Sequence, residues 1–174
     1  MRRFVLLLVA LMFTFTALVG CRQEEETDPV DLSPMPAAAA PPYVCEYIPL
    51  RAVELMTGVR DPLVSGSFDF SDKEGHGVGS CAIYRPDGNR LKVMLVELIP
   101  GDYTEFVQGY IDGGFARLPE IIPGSIGAYS TSEGGKNNAA YAYLATENTE
   151  LVVQMDYGAP GRDNAADVAA LMKL

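Results

Sequence analysis

Two arginines, Arg2 and Arg3, precede an uncharged run from Phe4 to Val19, which ends at Gly20-Cys21. This opening decides how much of the chain is left to fold, and in which redox environment. A basic start, an apolar stretch and small residues before a cut point are the parts of a secretory signal. The competing reading is a transmembrane anchor. The sixteen residues of the run, at ~1.5 Å each, make a helix of roughly 24 Å, short of the ~30 Å hydrocarbon core. The flank Arg22-Gln23-Glu24-Glu25-Glu26 adds no second apolar segment. Residues 1–20 are therefore expected to direct export and to be removed.

Leu18-Val19-Gly20-Cys21 resembles the lipobox of bacterial lipoproteins. The resemblance implies that the Cys21 thiol carries a diacylglycerol through a thioether and becomes the new N-terminus. The domain would then be held at the extracytoplasmic face of the cell membrane, its contact with the bilayer made through acyl chains. Two chains anchor stably, because each buried CH₂ contributes about 0.8 kcal/mol and one chain alone is marginal. With Cys21 consumed, Cys45 and Cys81 are left as one pair. In an oxidising compartment a disulfide between them is expected. The two cysteines are 36 residues apart, a loop whose closure is worth about 3–4 kcal/mol in the chain-entropy model. A metal site is the alternative, but the chain has one histidine, His76, and no CxxC, which leaves zinc short of ligands. No cofactor is expected.

Without Arg2 and Arg3 the chain carries eleven basic against 23 acidic residues, a net charge of −12. Such a surface repels nucleic acid and anionic lipid heads. From Cys21 to Pro42 the composition is that of a spacer: Glu24 to Glu26, then Pro29, Pro34 and Pro36, then Ala37 to Ala40 and Pro41-Pro42. Few large apolar residues are present to offset the entropy of ordering, so disorder is expected, stiffened by proline. Residues 43–174 remain as one domain, long enough for a single core.

Within the domain, Pro49 suits the first turn of a helix running to Thr57, with Leu50, Val53 and Met56 on one face and Gly58 as the stop. Val64 to Gly79 reads as a strand carrying Phe68 and Phe70, followed by a glycine-rich loop. Cys81–Arg85 and Leu91–Ile99 read as strands joined by the turn Pro86-Asp87-Gly88-Asn89. Asp102 and Glu105 form a capping-box variant before a stripe of Tyr103, Phe106, Val107, Tyr110 and Ile111. Three short strands follow, Ile126–Ser132, Ala139–Thr146 and Leu151–Tyr157, with a turn at Glu133-Gly134-Gly135 between the first two. A last helix from Asn164 places Val168, Leu171 and Met172 on one face. Grouped strands with hairpin links predict an α+β domain: an antiparallel sheet of about five to six strands, with two to three helices packed on one face.

The order lipobox, Pro-rich spacer, Val44-Cys45-Glu46-Tyr47, Thr57-Gly58 and Ser80-Cys81-Ala82-Ile83-Tyr84 resembles an actinobacterial lipoprotein family known as a domain of unknown function. In that family a first cysteine opens a short helix ending in glycine, and a second lies in a strand with an aromatic close behind. The resemblance implies location, disulfide and fold rather than an activity.

Catalytic chemistry finds few candidates. His76 stands between Gly75 and Gly77, a poor mounting for a general base, which must be held within hydrogen-bond reach of its target. Asp69, Asp72 and Glu74 fit no calcium-loop spacing. Tyrosines are the more suggestive group: Tyr129, Tyr141, Tyr143 and Tyr157 lie on three consecutive predicted strands, Tyr141 and Tyr143 on one face. They form a candidate ligand face for a small apolar molecule, a glycan or a partner protein. Ordinary cross-strand packing is the alternative. The expected function is accordingly a non-enzymatic envelope lipoprotein that binds a partner protein or small ligand. The alternative is a cell-wall-acting enzyme or enzyme regulator using acids such as Asp69, Glu97 or Asp156.

Overall fold

A computed structural model describes residues 29–71, 77–87, 90–130 and 138–174. The signal, Cys21, Asp72, Glu74, His76 and the turn residues Gly88, Asn89 and Glu133 to Gly135 lie outside the described residues. In chain order the elements are β1 (Tyr43–Val44), β2 (Ile48–Pro49), α1 (Leu50–Thr57), β3 (Leu63–Asp69), β4 (Val78–Tyr84) and β5 (Lys92–Pro100). Then follow α2 (Thr104–Asp112), β6 (Ala116–Arg117), β7 (Ile126–Tyr129), β8 (Ala140–Ala145), β9 (Thr149–Met155) and α3 (Asn164–Leu171). No helix among the described residues is long and apolar enough to cross a membrane.

The chain forms an α+β domain around a seven-stranded antiparallel sheet ordered β3-β4-β5-β9-β8-β7-β6, with β1 and β2 as a small second sheet. Two meanders, β3-β4-β5 and β6-β7-β8-β9, are joined through α2 and meet where β5 pairs with β9. The sheet is broader than the five to six strands expected. One reason is β6, which pairs with β7 through two residues only, Ala116↔Tyr129 and Arg117↔Ala128, too few to leave a periodic signal.

Helices lie on both faces of the sheet, which corrects the expectation of a single helical face. The reason is readable along β8. Ala140, Ala142 and Leu144 belong to the main core with Val53, Met56 and Val168, under α1 and α3. Tyr143 and Ala145 point the other way and pack with Val107 of α2. Both parities of this strand are apolar, so both faces need cover. The connection that carries α2 from one meander to the other supplies it.

Local chemistry sets the helix ends. Gly58 stops α1 in the left-handed conformation (φ 69°), its N–H donating to Glu54 O at 2.9 Å. Ala52, Val53 and Met56 of this helix are fully buried. Asp102 does not cap α2 as a capping box would. Its carboxylate accepts from the N–H and hydroxyl of Thr104, and the helix begins there. Val107 is the fully buried residue of α2, while Phe106, expected in the buried stripe, is 55% exposed. Asp163 caps α3 by accepting from Ala166 N at 3.0 Å.

The expected spacer meets the domain in its second half. Arg162 donates through Nη1 to Asp31 O (2.7 Å) and Ser33 O (2.8 Å), and Arg51 pairs with the Asp31 carboxylate. Met35 packs against the main core, and Leu50 N donates to Pro42 O at 2.8 Å. Arg162 is itself locked by Asp167 through Nε–Oδ2 (2.6 Å) and Nη2–Oδ1 (2.9 Å). That pair is buried, 5% and 9% exposed at its side chains, so both charges depend on each other.

Candidate ligand site

Cross-strand register builds the site. On the α1/α3 face one row runs Phe68, Gly79, Leu98, Leu151 across β3, β4, β5 and β9. The neighbouring row runs Gly66, Cys81, Val96, Val153. Gly79 contributes no side chain, so its row has a gap between Phe68 and Leu98. Glycine is required there: φ is 144°, and a Cβ would press into the Ser67 carbonyl of β3.

Above this floor lies a pocket of about 270 Å³. Its floor is Phe68, Val96, Leu98, Leu151 and Val153, and its roof is Tyr47, Ile48 and Pro49 with Leu171 and Leu174. Phe70 closes the β3 end, lying with Leu98 against the bare backbone of buried Gly77. Tyr47, Phe68 and Phe70 form an aromatic group at the mouth. Tyr47 meets Phe70 edge-on at 4.9 Å and Phe68 at 6.1 Å between centroids. Tyr47 and Phe70 are each about half exposed, at 50% and 47%. The Tyr47 hydroxyl is the one polar side-chain group among the described lining residues. Such a space favours apolar matter.

Cys45 and Cys81 stand at disulfide distance, S–S 2.10 Å and Cα–Cα 6.0 Å, as expected from the cysteine arithmetic. The bond joins roof to floor. Cys45 lies two residues before Tyr47 in the β1–β2 turn, and Cys81 sits fully buried in the row beside Gly79. The turn places Cys45 and Glu46 at positive φ, 47° and 72°, a conformation that non-glycine residues hold only where neighbours enforce it.

The four tyrosines expected to form one face are divided between two. Tyr129 and Tyr157 pack against the main core, and Arg85 lies 5.9 Å over the Tyr157 ring. Tyr143 faces α2, stacked on Tyr110 at 4.5 Å, and Phe115 lies 5.0 Å from Tyr110 and 6.2 Å from Tyr143, so the three rings cluster as a triangle. Burial, with the Tyr110 hydroxyl adding to it, pushes the Tyr143 phenol well above its ordinary range. Tyr141 shares that side of β8, opposite Gln154.

The acids considered for catalysis are dispersed. Asp69 ends β3 and is held below the usual carboxylate range by Ser71, whose N–H donates to it at 2.8 Å. Asp156 pairs with Lys92 at 3.3 Å and accepts from Gln154. Glu97 faces the α2 side and has a companion that sequence reasoning missed, Glu150 of β9. Glu150 is 3% exposed, and its Oε1 has no hydrogen-bond partner among the described residues. Burial, then the Glu97 charge, raises its carboxyl above the usual range. Neither residue lines the apolar pocket.

The chain matches no protein-family model, no curated protein and no solved structure.

Proposed function

We propose that this protein is an extracytoplasmic lipoprotein, anchored in the cell membrane through acyl chains on Cys21, whose domain binds a small apolar ligand. The observation that carries the binding reading is the 270 Å³ pocket with a wholly hydrocarbon floor and a mouth of three aromatic rings. Ligand sites are concave, mostly apolar and largely preformed, and a disulfide across the rim preforms this one. The anchor rests on the lipobox and on its account of the odd cysteine. The reading is of a binding role: the described lining side chains are hydrocarbon and aromatic, with the Tyr47 hydroxyl at the mouth. The resemblance to the actinobacterial lipoprotein family agrees with this location.

The test uses the chain's lack of tryptophan. Tyr47→Trp places a single reporter at the mouth, to be titrated with a panel of uncharged aliphatic and aromatic alcohols. A saturable blue shift with at least one class of compound supports the reading. A linear or absent response to all of them contradicts it. The anchor is tested by intact mass of the mature chain with and without reductant. A Cys21→Ser variant that stays in the membrane after signal cleavage contradicts it.

The enzyme alternative has one observation in its favour, the raised Glu150 carboxyl beside Glu97, since a general acid is often a carboxyl raised by burial. If Glu150→Gln abolished a cell-wall hydrolysis that wild-type protein performs, that reading would replace the first.

A further inference from the structure

Resting on the apolar-ligand reading, we infer that the occupant of the pocket is one hydrocarbon chain of about eight to ten carbons, whose uncharged polar end remains at the mouth. Three observations define it.

The first is shape. The floor reaches from Phe68 on β3 to Leu151 and Val153 on β9, across four adjacent strands. At about 4.8 Å per strand interval this is a length of about 14 Å. A volume of 270 Å³ drawn out over that length is elongated. Its shape is nearer that of one polymethylene chain than that of a compact cage of fused saturated rings. At about 30 Å³ per methylene-sized unit, near a water molecule's share of the liquid, the volume corresponds to roughly nine carbons.

The second is polarity. The floor carries no donor or acceptor side chain, so a hydroxyl or amide drawn inside would be left without a partner. The Tyr47 hydroxyl, at the half-exposed mouth, is where a polar end is tolerated.

The third is charge. The whole protein carries a net charge of −10, so an anion approaches it against the overall field. Like charges disfavour a carboxylate at the mouth, so an alcohol or other neutral end is preferred over a fatty acid anion.

Titration calorimetry tests this with the signal-free chain carrying Cys21→Ser, which retains every described residue and needs no detergent. The ligands are 1-alkanols from butanol to dodecanol, decanoate and 1-adamantanol. The expected result is affinity rising about fourfold per added carbon and levelling near nine or ten carbons, with adamantanol and decanoate each at least tenfold weaker than decanol. Val153→Phe, or Leu171→Trp should the first fail to melt cooperatively, shifts the plateau to shorter chains. Adamantanol binding as tightly as decanol, with a flat alkanol series, overturns the chain inference and leaves the apolar-ligand reading standing. Titrations that are heatless with every ligand at both about 10 °C and about 40 °C, where the heat-capacity change of apolar burial would give a signal at one temperature or the other, overturn both. A plateau that neither variant moves shows that the chain binds elsewhere and overturns the assignment.

Discussion

On the face covered by α1 and α3, the sheet presents aliphatic rows interrupted by Gly79, closed above by a disulfide-pinned roof and left open at an aromatic mouth. On the face covered by α2, it presents clustered rings of Tyr110, Phe115 and Tyr143, and a buried carboxyl, Glu150, with one oxygen that has no partner among the described residues. The first face forms an apolar pocket under a roof tied to the sheet by the Cys45–Cys81 bond. The second fills its volume with rings and accepts an uncompensated polar group. An apolar pocket beside a disulfide-braced roof has the properties of a receptor site, whereas a face filled with rings around a buried acid has those of packing.

The largest expected effect tests whether the frame of the first face extends to the spacer. Arg162→Ala removes one partner of a buried ion pair, and with it the bonds to Asp31 O and Ser33 O. A loss of about 3–5 kcal/mol is expected, with residues 29–42 becoming sensitive to protease. Denaturant melts and limited proteolysis measure the two consequences separately. A variant that lost stability while the segment stayed protected would assign the docking to Met35 and Pro42 instead.

Next in size is the clasp. Replacing Cys45 and Cys81 together by alanine should cost about 3–4 kcal/mol and weaken apolar-ligand binding by more than tenfold even under conditions where the variant is folded. Stability lost with affinity retained would mean that the disulfide serves the fold alone. Tyr110→Ala, on the other face, is expected to cost about 2 kcal/mol through the collapsed ring stack. Its effect on ligand affinity should be less than twofold, which calorimetry on the folded variant would check.

The smallest effect reverses sign. Glu150→Met exchanges a buried, partly unsatisfied carboxyl for an apolar chain of similar shape, and should stabilise by about 1 kcal/mol at neutral pH. The pH dependence follows from the raised carboxyl. Between its unfolded and its raised folded pKa the native state holds the extra proton, so stability falls as pH rises through that window. It is full below the unfolded value and lowest above the folded one. Glu150→Met should remove this segment of the pH–stability curve, and an unchanged curve would show that another group causes it.

Much of this architecture was legible in the sequence because its signals are local. Pro49 and Gly58 bracket α1. Cysteine parity pointed to Cys45 and Cys81. The pocket had no such signal. Its walls come from β2, β3, β5, β9 and the end of α3, and only strand order brings Phe68 opposite Leu98 and Leu151. The nearest clue was the glycine-rich stretch after Phe70, whose Gly79 leaves the gap in the floor. Glu150 was hidden for the converse reason: an acid alternating with apolar neighbours reads as solvent-facing until a second helical layer is known. The four tyrosines misled because strand parity places Tyr141 with Tyr143, but register decides where Tyr129 lies, and register is not local. Composition likewise described 29–42 as too polar to order, and did not register that backbone carbonyls alone can be held by one buried arginine.

The central claim is that the α1/α3 face, and not the α2 face, receives an apolar ligand. Methyl-resolved NMR of the described aliphatic residues during a decanol titration tests it most directly. Shifts concentrated on Val96, Leu98, Leu151, Val153 and Leu171, with Val107 and Ile126 unmoved, are the predicted result. Shifts centred on Val107 and Ile126, or spread evenly over both faces, would contradict it.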